Sequence, residues 1–204
     1  GGEAQIVFLD ALLKLRQICC HPSLLNFNSE SMQDAAKAES AKMLYLIELL
    51  VTLRKEGHRV LIFSQFTSML EIIEDYLTQE HVAYLILTGA TKDRQSLVER
   101  FQGGEGEVFL ISLKAGGTGL TLTGADTVIH YDPWWNPAAE NQATDRAYRI
   151  GQDKPVMVHK LICSGTVEQR IQQVQAKKNT LAKNILDGAT QSLDLNEKTL
   201  RDLL

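Results

Sequence analysis

An α/β fold, with a parallel sheet covered by helices on both faces, is predicted by three features of the sequence. Short, continuous apolar runs rich in β-branched residues recur along the chain. Helix-like segments with spaced apolar residues separate them, which is the pattern of parallel strands buried on both sides. The length, 204 residues, suits one sizeable domain with an attached subdomain.

Residues 6–18, IVFLDALLKLRQI, carry apolar side chains at helical spacing, and CCHPSLL then stops the helix because a residue before proline avoids helical geometry. From 26 to 40 the composition turns to Ser, Asn, Gln, Ala, Glu and Lys, a flexible connector or a weak helix. Met43, Leu44, Leu46, Ile47, Leu50, Val51 and Leu53 form a wide apolar stripe on a helix that Gly57 can end. Strands are expected at 59–64, 83–88, 107–112, 126–131 and 156–162, and helices at 67–80, 91–102 and 137–150. The tail reads as a long helix, 166–189, and a short one, 194–203. The chain thus divides into an N-terminal helix and connector (1–40), a sheet-bearing lobe (41–165) and C-terminal helices (166–204). Ligands belong at the carboxyl ends of the parallel strands.

Composition narrows the function. No apolar run approaches the roughly 20 residues that span a bilayer, and no secretory signal pattern opens the chain. Formal charge is -4, so no basic surface announces a nucleic-acid binder as a whole. Residues 66–112 hold 3 basic and 8 acidic groups, whereas 1–65 and 113–165 each sum to zero. Contacts with DNA must therefore be local. Cys19, Cys20 and Cys163 lack the spacing of a zinc site and form no disulfide framework; they read as reduced thiols, and no metal site is expected.

Two segments hold unusual chemistry. In LISLKAGGTGLTLTGADTVIHYDPWWNP, 110–137, Gly116, Gly117 and Gly119 follow a strand, where bare backbone N–H groups can approach a phosphate. A tight turn explains such a run equally well, and neither dinucleotide-fold nor phosphate-loop spacing is present. In QATDRAYRIGQ, 142–152, Gln142, Asp145, Arg146 and Arg149 fall on one helical face at i, i+3, i+4 and i+7. That stripe is either a solvated face or a guanidinium pair suited to phosphate. Ser64, Gln65, Thr88 and Gly89 end the first two strands. Trp134 and Trp135 suit a packed corner, or a wedge against a partner. His130 and His159 read as satisfied core residues.

LRQICCHPSLL (15–25), VLIFSQF (60–66), LTGAT (87–91), the 110–137 segment and QATDRAYRIGQ, in this order, resemble the C-terminal RecA-like lobe of SWI/SNF-type ATPases in helicase superfamily two. The similarity runs from about residue 6 to residue 190. It departs from the family at Thr121, usually asparagine, and at Tyr148, often histidine.

The resemblance implies a RecA-like lobe with flanking helices, working in an ATP-dependent double-stranded DNA translocase of the chromatin-remodelling type. Arg146 and Arg149 would be its arginine fingers. Gln142, Gly117 and Gly119 would lie against the nucleotide, and Ser64, Gln65, Thr88, Gly89, Lys114 and Trp135 along the DNA. ATP and Mg²⁺ would be held mainly by an N-terminal RecA-like lobe, the partner of this one, because no GK[ST] loop and no DExH box occur here. The chain by itself would bind no cofactor stably and hydrolyse no ATP. The same resemblance places the protein inside the cell, in the cytoplasm or nucleoid of a bacterium or the nucleus of a eukaryote. The alternative is a non-catalytic RecA-like module that binds nucleic acid or protein. Both arginines are expected on display at an interface whose other wall lies outside this chain.

Overall fold

The computed structural model describes residues 2–25, 40–115, 120–134, 136–147 and 154–186. Helix α1 spans Gly2–Cys20 and leads into a short 3₁₀ turn, Pro22–Leu24. Then follow α2 (Ala41–Lys55), β1 (Val60–Ser64), α3 (Thr67–Gln79), β2 (Tyr84–Leu87), α4 (Arg94–Gln102), β3 (Val108–Ser112), β4 (Thr127–His130), α5 (Pro137–Thr144), β5 (Met157–Lys160) and α6 (Val167–Leu186). The expected connector at 26–40, apart from Ser40, and the expected short helix at 194–203 lie outside the described residues.

The strands form one five-stranded sheet in the order β2-β3-β1-β4-β5, and every pairing is parallel. Alternation along β1 sorts its residues between two cores. Val60 and Ile62 face α2 and α3, packing with Leu46, Leu50, Leu70 and Ile73. Leu61 and Phe63 face the other way, with Val98 and Phe101 of α4 and Ala143 of α5. Burial on both faces explains why β1 and β3 read as unbroken apolar runs, whereas the edge strand β5 is mostly exposed.

Local signals set the helix ends. Ser40 caps α2 by accepting the Met43 N–H at 3.2 Å, and Asp93 caps α4 by accepting that of Ser96 at 3.0 Å. Gly57, with φ +78°, takes the left-handed conformation that ends α2. The start of α6 packs Val167 and Ile171 on Leu12 of α1, with Phe8 and Val174 at the margin. The two flanking helices therefore meet on this lobe; the side chain of Leu181 is outside the described set.

One helix is shorter than the sequence suggests. The pattern at 137–150 predicts a continuous helix, but α5 ends at Thr144. After it, Arg146 N–H reaches Ala143 O at 3.4 Å and Ala147 N–H reaches Thr144 O at 3.1 Å. This i to i+3 pattern tightens the chain from 3.6 toward 3.0 residues per turn. The stripe of Gln142, Asp145 and Arg146 is broken as a result. Gln142 and Asp145 face solvent, while Arg146 and Ala147 turn inward.

Candidate functional site

Pairing aligns the carboxyl ends of the strands. Ser64 of β1 stands opposite Ser112 of β3, and Phe63 stands opposite His130 of β4. The backbone continues this order: Leu113 N–H donates to Ser64 O and Tyr131 N–H to Phe63 O, each at 2.9 Å. The sequence-predicted site residues that are described lie at the strand ends, on the segments leaving this edge, on α5 or, for Arg146, just after it.

The centre of the edge is a buried carboxylate. Asp132 accepts the Ser64 hydroxyl at 2.5 Å and the Gln65 backbone N–H at 3.2 Å. The Gln65 side chain donates to Pro133 O at 2.7 Å and accepts from Arg16. Arg16 in turn lies over the rings of Phe66, at 5.4 Å, and Trp134, at 5.3 Å. Burial pushes the Asp132 carboxyl up to about 6, against the pull of Ser64, Lys42, Gln65 and Arg16. Ser64 and Gln65 are thus turned inward and committed within the lobe, rather than lining the edge as free polar groups. The reason is that Asp132, Arg16 and the two residues converge where β1, β4 and α1 end, and a carboxylate buried there requires donors.

A second polar cluster lies beneath α6. Lys42 Nζ reaches Glu168 at 2.5 and 2.7 Å and Tyr131 O at 2.8 Å. Glu140 Oε1 accepts Trp134 N–H and the Gln175 amide, each at 2.9 Å, and Lys160 Nζ lies 3.0 Å from Oε2. Neither set is visible in the sequence, because Lys42 and Glu168 are 126 residues apart.

Arg146 is not displayed. It is 8% exposed and lies over the Phe63 ring at 5.9 Å. Burial lowers its pKa, and the nearby guanidinium of Arg94 lowers it further; arginine starts so high that it stays charged at neutral pH. Arg94 donates to Ala115 O at 2.6 Å, where the glycine segment begins. Nothing in the sequence singles out Arg94, which lies outside the two segments of unusual chemistry. Two guanidinium groups therefore share one neighbourhood at the strand edge.

The other candidates are placed as follows. Thr88 is half-buried and its hydroxyl accepts Ala90 N–H at 3.3 Å, shaping a turn whose next residue, Gly89, is exposed. A Cβ added at Gly89 would meet nothing within 4 Å, so the fold itself does not require glycine there. Lys114 is exposed. Gln142 and Asp145 line an open depression of about 560 Å³ with Asn136, Ala138, Ala139 and Asn141. Gly117, Gly119, Trp135 and Arg149 lie outside the described residues. Trp134 is packed under Arg16.

The two histidines part company. His130 is buried, stacks on Phe63 at 5.6 Å and bonds Thr144 Oγ1 at 3.0 Å. Burial lowers its pKa to about 4. His159, expected to be satisfied in the core, is instead half-exposed on the edge strand β5, and its Nε2 has no partner among the described residues.

Among the described residues, the one group spaced for a metal ion is Cys19, Cys163 and Glu168, away from this edge. No described helix is long and apolar enough to cross a membrane.

Comparison with known proteins gives concordant matches. Residues 41–151 match the family described as the helicase conserved C-terminal domain. The YwqA protein of Bacillus subtilis, whose name describes an ATP-dependent helicase/translocase, is 41% identical over 206 aligned residues. That match takes in 100% of this chain but 22% of the relative, so the chain spans about a fifth of its length. The C-terminal domain of the Sulfolobus solfataricus SWI2/SNF2 ATPase superposes with a TM-score of 0.73 at 34% identity, covering 100% of this chain and 83% of that one. The ATPase core of the same organism, solved in complex with dsDNA, gives 0.73 at 35% identity, with 100% and 43% covered.

Proposed function

The chain belongs to the helicase C-terminal domain family, as the C-terminal RecA-like lobe of a SWI2/SNF2-type ATPase, and from that premise we propose its part in the motor. It is the lobe that closes over a nucleotide held mainly by an N-terminal partner lobe and that grips double-stranded DNA through the backbone. ATP supplies the phosphoryl group and the free energy of its transfer to water.

The observation that carries this reading is the convergence of Arg94 and Arg146 at the carboxyl edge of the sheet. Guanidinium and backbone N–H groups suit phosphate oxygens, whereas Mg²⁺ needs carboxylates that would come from the partner lobe. Arg146, buried against Phe63 beside Arg94, and Arg149 would act as arginine fingers once the cleft shuts. An arginine finger contributes ~10³ to 10⁵ in rate, because it meets charge that develops on the transferring group. Gln142, Gly117 and Gly119 line the nucleotide side.

DNA is gripped by Thr88, Gly89, Lys114 and Trp135. Ser64 and Gln65 act behind them, fixing the strand ends through Asp132. Contacts of this kind are made to phosphate and sugar and carry no sequence preference, so the chain needs no overall positive charge. Lobe closure on ATP and reopening after hydrolysis would couple the chemistry to a shift of the DNA grip.

The test is steady-state ATPase measurement on the full-length protein and on this chain, with and without duplex DNA. The full-length protein should show DNA-stimulated turnover, and Arg149→Ala should lower kcat at least about tenfold. This chain should hydrolyse nothing even with DNA. Unchanged kcat in the variant, or substantial turnover by the chain alone, would overturn the division of labour.

A further inference from the structure

Cys19 and Cys163 stand 144 residues apart in the sequence and meet in the fold. Cys19 lies in the last turn of α1, and Cys163 lies between β5 and α6. Both are partly exposed, whereas Cys20 is buried. The two sulfur atoms lie within 4.8 Å of each other and of a Glu168 carboxylate oxygen. Cys163 Sγ also donates to the Cys19 carbonyl at 3.6 Å.

Two chemistries compete for such a cluster. A soft divalent cation would need Glu168 as its third ligand, but that carboxylate already holds Lys42 Nζ at 2.5 and 2.7 Å and accepts the Cys163 N–H at 3.0 Å. An added cation would face the Lys42 ammonium and displace it from the carboxylate that neutralises it. The two thiols need no third group. The two sulfur atoms, within 4.8 Å of each other, must approach to the bonding distance of roughly 2 Å.

We propose that Cys19 and Cys163 form a thiol–disulfide exchange site whose co-substrate is a low-molecular-weight aliphatic disulfide. The Cys19 thiolate attacks one sulfur of the co-substrate; its S–S bond breaks, and the leaving thiolate takes up a proton. Cys163 then gives its proton to solvent and attacks Cys19 of the mixed disulfide, expelling the second half as a thiol. Two cysteine thiols are oxidised to one cystine, and one small disulfide is reduced to two thiols. The order follows from the surroundings. A side-chain hydrogen bond between the two thiols, for which the Cys163 S–H turns from the Cys19 carbonyl to the Cys19 sulfur, lowers the pKa of Cys19 and raises that of Cys163, so Cys19 is the thiolate that attacks. The product ties the end of α1 to the entry of α6, where Leu12 and Ile171 already pack.

The experiment uses the purified, reduced chain exposed to glutathione disulfide under native conditions. It should lose two of its three free thiols and retain no glutathionyl group. Peptide mapping without reductant should join the fragments holding residues 19 and 163. The thermal midpoint should rise by at least about 5 °C, as expected for a cross-link closing so long a loop. Cys163→Ser should stop at one glutathionyl group on Cys19, and Cys20→Ser should react like the wild type. Wild-type protein that keeps glutathionyl groups, keeps all three thiols, links through Cys20 or forms a disulfide-linked dimer would overturn the proposal. So would stoichiometric zinc that is retained in native mass spectra and blocks thiol loss.

Discussion

Ser64 donates its hydroxyl to Asp132 at 2.5 Å, joining the end of β1 to the segment that leaves β4. The same carboxylate accepts Gln65 N–H, so one buried side chain fixes two neighbouring strand ends. Asp132→Ala leaves both donors without an acceptor in a buried place. The expected loss is about 2 to 4 kcal/mol of unfolding free energy, from the desolvation of orphaned donors. Urea denaturation at pH 7 measures it, and a loss below a few tenths would show that water replaces the carboxylate.

Asp132 and His130 make opposite contributions to the pH dependence of stability. Burial raises the Asp132 pKa to about 6, above the unfolded value of about 4. Its contribution is therefore full below about 4 and is lost as pH rises through about 6. Burial lowers the His130 pKa to about 4, below the unfolded value of about 6.5. Its contribution is full above 6.5 and is lost as pH falls toward 4. Denaturation midpoints between pH 4 and 7 should thus change slope in opposite directions in two variants. Asp132→Asn should make stability rise more steeply with pH, and His130→Gln should make it fall. Parallel profiles for both variants would show that neither group titrates as its burial dictates.

Lys42 and Glu168 form a buried ion pair between α2 and α6. Removing one partner leaves a charge without compensation, so Glu168→Ala should cost about 3 to 5 kcal/mol. The double change Lys42→Met with Glu168→Leu should recover most of that loss, since a buried pair of this kind is often no better than an apolar one. Thermal or chemical unfolding of the three proteins distinguishes an internal electrostatic requirement from simple packing.

These contacts mark the boundary of what the sequence conveys. The central strands β1, β3 and β4 are legible because burial on both faces leaves a largely apolar run, and the run at 107–112 matches β3 at Val108–Ser112. The flanking helix at 6–18 was legible from its spacing, although α1 extends to Gly2 and Cys20. The end of α5 was not, since Gln142, Asp145 and Arg146 keep helical spacing in the sequence while the backbone tightens after Thr144. Partners such as Lys42 and Glu168, or Cys19 and Cys163, depend on topology that periodicity does not encode. Arg94 is unmarked in the sequence for a similar reason, because its meaning comes only from standing beside Arg146.

Two glycines separate fold from function. A Cβ at Gly124 would lie 2.8 Å from Arg59 Nη1 and 2.9 Å from Gln102 Oε1, whereas one at Gly89 meets nothing within 4 Å. Gly124→Ala should destabilise by about 1 kcal/mol, because the Arg59 and Gln102 side chains must shift from their hydrogen bonds to Gly124 O and Gly124 N–H. Gly89→Val should leave stability within about 0.5 kcal/mol, as for an ordinary surface change, yet weaken duplex binding by the full-length protein several-fold. Fluorescence anisotropy with labelled duplex reads the second effect. Unchanged affinity would remove Gly89 from the DNA surface.

Arg146 and Arg94 provide the sharpest test of the motor reading. Arg146 is a desolvated cation repelled by a second one, and its stem lies against Phe63. Arg146→Met keeps an apolar stem of similar reach and removes the charge. In this chain the change should alter stability by no more than about 1 kcal/mol, the range of volume-conserving core swaps. In the full-length protein the same change should lower DNA-stimulated kcat at least about tenfold, on the magnitude of an arginine finger. Arg94→Met should act mainly on KM for ATP, because Arg94 is committed to Ala115 O, where the glycine segment begins. A large stability loss in Arg146→Met with normal kcat would make the arginine a structural cation of the lobe. A kcat loss without a stability loss would show that a group costly to bury is kept for turnover.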